Sequence, residues 1–431
     1  MTSKPGALAL ALLLGAQTAC GDLTSVDAPD LVQPGDLANP QGAAARYVGA
    51  KVLFARAYNG NDINISLSGV VATGLLTDEM GDVSGVLQTL DERAELNDGS
   101  PLGYFGGLAQ ARLNLFAARF ALGQFAPDPP SRIGEVLALA GFTEVLFAEH
   151  FCSGVPLVQI SDGLPVAYGE PLTGAEMFQQ AIQEFDSATV YAPGDPDIAA
   201  LAQVGRARAL LGLGQFAEAG AAVAGVPTAF EYDVEHAGVS DPNQAYAGFT
   251  GPIVTLSDSE GGNGLNFRSA GDPRLPVVPT GTSRTGESTF GPATLVAQGV
   301  GAPTPLASGI EARLIQAETA LQAGDTVQWL AEVNEARATR ADLPAFTTYP
   351  GGQDAKVDLL FRERAFWLYG TGHRLGDLRR LVRQYGRPGT SVFPTGAYAS
   401  GQTYGEAYTL SLSDLDEGRN PNYRGCLDRN P

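Results

Sequence analysis

Lysine is nearly missing from this sequence, with only Lys4, Lys51 and Lys356 in 431 residues. Acidic side chains outnumber basic ones 47 to 27, giving a formal net charge of −20. Phosphate backbones need a surplus of Lys and Arg, so a nucleic-acid partner is excluded. No polybasic patch exists for an anionic membrane surface. Histidine is equally scarce, at positions 150, 236 and 373, which leaves little material for a multi-histidine metal centre. No apolar run approaches the ~20 residues of a spanning helix. The strings H-E-x-x-H and G-x-S-x-G, a Walker loop and a G-x-G-x-x-G after a strand are all absent, which argues against an enzyme. With 44% hydrophobic residues the chain can nonetheless bury a large core. Its 54 glycines and 28 prolines imply long loops.

The first residues read as an address. Lys4, the apolar run Ala7–Leu14 and the small residues up to Ala19 have the layout of a secretory signal over residues 1–19. Cys20, between Ala19 and Gly21, fits a bacterial lipobox, in which acyl chains on the cysteine anchor the mature chain. Gln17 stands where leucine is usual. Residues 20–40, acidic and proline-containing, read as a lipid-anchored tether. Cys152 and Cys426 remain, and in an oxidising envelope they are either a disulfide or two buried thiols.

From Gln41 onwards helical periodicity dominates. Ala45, Val48, Val52 and Ala55 mark one amphipathic face; Leu108, Ala111, Leu115, Ala118 and Leu122 mark another. Thr173 with Glu176 has capping-box spacing. Segments 199–223 and 310–338 each read as helix, glycine break, helix, with a weaker copy at 113–139 around Gly123. Such pairs, with small residues at their crossings, are tetratricopeptide-like. The array is interrupted by 225–308, and 59–100 and 386–431 also read as loop-rich.

Four motifs in order then resemble a known family. Glu363-Arg364 followed by Gly372-His373-Arg374-Leu375-Gly376-Asp377-Leu378-Arg379-Arg380 is similar to the C-terminal signature of the RagB/SusD lipoproteins. Ile310–Pro344, Asp272-Pro273-Arg274 and Glu417 with Asn420-Pro421 resemble its other blocks. Thr371 replaces a glutamate of the pattern, and Leu410-Ser411-Leu412 lacks its prolines. The resemblance implies a mainly α fold, with a tetratricopeptide-like scaffold supporting a loop-rich second half. Residues 41–431 would then form one SusD-like domain, with helical pairs over 41–224 and 304–385. It also implies a non-enzymatic, surface-exposed outer-membrane lipoprotein without a cofactor. Such a protein captures a glycan or another nutrient for a TonB-dependent outer-membrane transporter. A tetratricopeptide scaffold that binds only proteins, and a secreted glycoside hydrolase, are the rival readings.

The site residues follow from chemistry. A pyranose face stacks on a ring while Asn and Asp take its hydroxyls, which makes Tyr58, Asn59, Asn61 and Tyr104 the ligand-binding candidates. Asp78 and Glu79 could accept sugar hydroxyls; as half of a hydrolytic pair they would need a second carboxylate at a set distance. Glu363, Arg374 and Asp377 read as a structural ion-pair network, which is favoured over a metal site built on His373 and Asp377. Asp414, Asp416 and Glu417 depart from the EF-hand pattern, so no metal is expected there.

Overall fold

The computed structural model describes residues 37–60, 67–94, 103–349, 351–398, 401–412 and 420–430. Cys20, Asn61 and the acids at 414–417 lie outside the described residues, as does the whole 1–19 segment. The fold is mainly helical, with small two-stranded sheets.

Helices Pro40–Asn59, Gly103–Phe125, Ser131–His150, Gly174–Tyr191, Pro196–Gly212 and Phe216–Val223 pack each against a neighbour as an array. Ser131–His150 buries 17 of its 20 residues, so it is apolar nearly all round and sits at the centre. Glycines set the close approaches. The Phe185 ring fills the space left by Gly141 and Gly205, where a Cβ would stand 2.9 and 2.3 Å from it. The turn after Pro196–Gly212 uses Gly214 at φ +74°, and the turn after Gly309–Gln322 uses Gly324 at φ +76°. Both are left-handed positions that favour glycine. Thr173 and Glu176 form a complete capping box on Gly174–Tyr191.

The 225–308 interruption leaves the array and returns to the same place. Helix Phe216–Val223 packs directly on helix Gly309–Gln322, with Gly220 against Thr319. The neck is closed by antiparallel strands Glu231–Val234 and Thr304–Ser308, in register Glu231↔Ser308 and Val234↔Thr304. The array then continues through Thr326–Ala338, Gln353–Trp367 and His373–Arg383.

Three sequence expectations are corrected. Helix Pro40–Asn59 turns Ala43, Ala50, Phe54, Ala57 and Tyr58 inward, while Val48 is 58% exposed. Its aromatic residues, not its valines, decide which face is buried. Gly123 is no break, because Gly103–Phe125 runs through it. The 59–100 region contains the helix Gly69–Leu76, whose eight residues are all buried. An apolar segment too short to show a period still folds as helix when it is enclosed on every side.

The C-terminal segment is stitched back to the first half. Cys152 and Cys426 are joined with a Cα–Cα distance of 5.6 Å across a separation of 274 residues. Beside them Ser153 N donates to Asp428 O and Leu427 N to Ser153 O. Cys152→Ser is therefore expected to lower the unfolding free energy by about 2–4 kcal/mol under oxidising conditions. Denaturant titration with and without reductant checks this; identical curves would reject a structural bond.

Candidate functional site

A cavity of about 750 Å³ opens where the looped-out 225–308 segment meets the helical array. One wall comes from the neck strands, through Glu231, Asp233 and Thr304–Ser308. Further lining comes from the junction between helices Gln353–Trp367 and His373–Arg383, through Phe366–Thr371 and His373. Phe249, Leu275, Leu295 and Ile310 add apolar surface, and the volume suits a small ligand.

Buried ion pairs tie the elements around the cavity together. Arg274, from the Asp-Pro-Arg motif, donates to both oxygens of Asp272 and both of Glu363, at 2.7–3.1 Å. Arg337 reaches the same Glu363 carboxylate at 3.0 and 3.1 Å. Glu363 thus ties the looped-out segment to two helices of the array. Asp377 accepts from Arg364 at 2.7 Å and from Arg380 at 2.9 Å. Burial alone would raise its carboxyl, but these two guanidiniums outweigh burial and hold it well below the usual range. Arg374 forms a two-pronged pair with Asp78, Nε to Oδ1 at 2.6 Å and Nη2 to Oδ2 at 2.7 Å. Glu363, Arg374 and Asp377 therefore sit in three separate clusters, not one. Arg379 caps the C-terminus of helix Ser131–His150, donating to the carbonyls of Ala148, Glu149 and Phe151.

Most of the ligand candidates read from the sequence are core residues instead. Tyr58 is fully buried, and its hydroxyl lies 2.7 Å from Pro305 O and 2.8 Å from Thr371 O. Tyr104 is fully buried beside Phe151, with its hydroxyl 2.8 Å from His150 Nδ1. No ring face is left on either for a sugar. Burial pushes both phenols up and pushes His150 down to about 4. Asp78 is consumed by Arg374 and by Leu265 N at 2.8 Å, which removes it as a sugar acceptor. Glu79 is fully buried, with Oε1 accepting from Gly370 N at 3.2 Å. Asn59 alone among the described candidates lies in the cavity wall, yet its amide is used internally, donating to Thr304 Oγ1 at 2.8 Å. Tyr58→Phe should cost about 1–2 kcal/mol in thermal or denaturant unfolding while leaving ligand affinity unchanged. A stability-neutral variant with weakened binding would restore the discarded assignment.

The sequence reading missed three groups that the fold gathers. Glu311 is 1% exposed and lies in the wall, with Oε1 3.0 Å from His373 Nε2 and no well-formed hydrogen bond to either oxygen among the described residues. Asp233 Oδ1 and Trp367 Nε1 are likewise buried and unpartnered. Asp233 is pushed up to about 6 by burial first, then by Glu231 and Glu235. A signal for Glu311 did exist. Ser308-Gly309-Ile310-Glu311 is a capping-box sequence. Ser308 caps the helix by accepting from Glu311 N at 3.1 Å, but the Glu311 side chain does not complete the box as Glu176 does.

No family model and no curated protein matches the sequence. Solved structures do. A SusD superfamily protein from Bacteroides vulgatus superposes with TM-score 0.64 at 16% identity, over 91% of this chain and 99% of that one. A SusD superfamily protein from Parabacteroides distasonis gives 0.67 at 12% identity, over 90% and 98%. The chain has a SusD-like fold. A SusD-like carbohydrate binding protein from Bacteroides vulgatus gives 0.65 at 13% identity, over 89% and 97%. Within the SusD-like fold, the Asp-Pro-Arg string and the C-terminal signature act as the clamps that close the looped-out segment against the array. Among the described residues no helix is long and apolar enough to cross a membrane.

Proposed function

We propose that this protein is a non-catalytic nutrient-binding lipoprotein that takes a sugar-sized ligand into the cavity above Glu311 and Trp367. The cavity carries the reading: a concave volume with mostly apolar and aromatic walls and a few polar side chains is the composition of a small-ligand site. The SusD-like fold supports it, because one structure sharing that fold is described as a carbohydrate binding protein. Transfer of the ligand to a TonB-dependent transporter is what the RagB/SusD resemblance implies, and anchoring at the outer membrane is supported by that resemblance together with the lipobox-like Cys20.

Calorimetry of the mature protein against an oligosaccharide panel tests the binding reading. Thr294, exposed at the rim of the cavity, is the site for a blocking change. Thr294→Trp is expected to abolish heats that the wild type shows. Undiminished binding in that variant would place the ligand elsewhere, and cleavage of a bound glycan would overturn the non-catalytic part. Cys20→Ala is expected to move the protein from the membrane fraction to the soluble one, and an unchanged membrane pool would reject the anchor.

A further inference from the structure

Away from the cavity, two acids meet with no base between them. Asp91 ends the short helix Gln88–Asp91 and is 2% exposed. Its Oδ2 accepts from Asp82 N at 2.8 Å and from the Tyr398 hydroxyl at 2.5 Å, while Oδ1 receives no N–H or hydroxyl among the described residues. Glu260, half-buried in the looped-out segment, accepts from Ser257 Oγ at 2.5 Å and from the Tyr404 hydroxyl at 3.0 Å. The two carboxyl groups hydrogen-bond to each other. A carboxylate has no proton to give, so that bond exists only while one of the two acids keeps its proton.

The pair joins three segments that are distant in the chain. Asp91 belongs to the turn after strand Met80–Asp82, Glu260 to the excursion, and Tyr398 and Tyr404 to the C-terminal part. The two tyrosine rings meet edge to face at 5.3 Å, and each hydroxyl ends on one of the acids. Beside them Gly405 N donates to Glu92 O at 2.7 Å and Ala407 N to Arg93 O at 3.2 Å.

The surrounding groups do nothing to favour a second negative charge. Asp82 adds its own, with its oxygens taken up by the N–H groups of Ser84, Gly85 and Leu87. Tyr369 and Tyr404 face Glu260 as phenols that burial keeps neutral. Arg93 is stacked on Phe393 and Tyr408 and donates to Ala407 O and Pro394 O. Asp258 is spent on Arg268 and Ser269, and Glu92 accepts from Gln88. Burial, above all, pushes Asp91 up to about 7. Burial, and then the Asp91 charge, push Glu260 well above the ordinary carboxylate range.

We propose that Asp91 and Glu260 form a proton-dependent latch, which holds the Tyr398 and Tyr404 segment against the excursion and releases it when their last shared proton leaves. Release passes that proton to solvent, breaks the bond between the carboxyl groups and leaves two carboxylates facing each other. The folded pair keeps protons that the unfolded chain has lost, so closure weakens as pH rises. The latch does not depend on which ligand the cavity takes.

Hydrogen exchange read by mass spectrometry from pH 6 to 9.5 tests the latch on the mature protein. Peptides covering 396–408 report it, and helix Ser131–His150 is the reference, each rate divided by its intrinsic value at that pH. Protection of the C-terminal peptide is expected to fall at least about tenfold more than that of the reference, since loss of one proton favours the open form by up to tenfold per pH unit. Glu260→Gln, whose amide donates to Asp91 at any pH, should flatten the C-terminal profile, whereas Glu79→Gln should leave its fall in place. Circular dichroism reports folding, and Asp91→Asn gives the same comparison if Glu260→Gln does not fold. An equal fall in both wild-type peptides would mean that the chain loosens as a whole, and overturns the latch. A Glu260→Gln profile parallel to wild type overturns it as well.

Discussion

Replacing Asp78 with alanine is expected to lower the unfolding free energy by about 3–5 kcal/mol, the cost of leaving one partner of a buried ion pair uncompensated. Asp78 is fully buried, and both its oxygens face Arg374 at 2.6 and 2.7 Å. Arg374 is itself 7% exposed, so water cannot replace the lost carboxylate without opening the structure. The pair also positions the looped-out segment, since Asp78 Oδ2 accepts from Leu265 N at 2.8 Å. Asp78→Asn should fall between wild type and alanine, because it keeps the shape and loses the charge. Joint replacement of Asp78 by leucine and Arg374 by methionine should recover much of the loss, as apolar isosteres leave no charge stranded. Urea unfolding followed by far-ultraviolet circular dichroism measures all four. A loss under about 1 kcal/mol in Asp78→Ala would mean that the pair does not hold the fold together.

The second large effect is a dependence of stability on pH through Glu79. Burial, above all, pushes this carboxyl from its ordinary 4.5 up to about 8. The Gly370 N–H and Arg374 pull it down; Asp78 and Asp377 push it up. Between these two values the folded chain keeps a proton that the unfolded chain has released. Stability therefore falls as pH rises through that window, by about 1.4 kcal/mol per unit for one proton, and levels off above it. The whole window spans roughly 5 kcal/mol as an upper bound. Glu79→Gln cannot ionise, so it should be the more stable protein at pH 8 and show a flatter profile. Denaturant midpoints taken from pH 5 to 9 decide this. Parallel profiles for the two proteins would show that Glu79 is not the titrating group.

The two predictions concern neighbours that look alike in the sequence and behave oppositely in the fold. Asp78 and Glu79 are adjacent acids in a segment without period. In the turn between helix Gly69–Leu76 and strand Met80–Asp82, Asp78 meets a guanidinium and Glu79 a single backbone N–H, which is why one is a clamp and the other a buried acid held protonated. The tyrosines follow the same logic. Next to asparagines, Tyr58 looks like a stacking platform, but it lies on the buried stripe of its helix and spends its hydroxyl on two carbonyls.

What the sequence by itself determined is the local and the periodic. Helices with a regular apolar stripe, such as Leu108 to Leu122, the Thr173 capping box and the glycine turns at 214 and 324 depend on residues within a few positions of one another. The order of the motifs carried the SusD-like fold, because it reflects clamps whose residue types are demanding. Tertiary structure alone decided the site. Glu311, Asp233 and Trp367 are separated by tens of residues and come to line one cavity because helix Phe216–Val223 packs on helix Gly309–Gln322 and closes the neck of the excursion. Whether a carboxylate finds a donor is a property of that closure, since a partner such as Arg374 for Asp78 comes from 296 residues away.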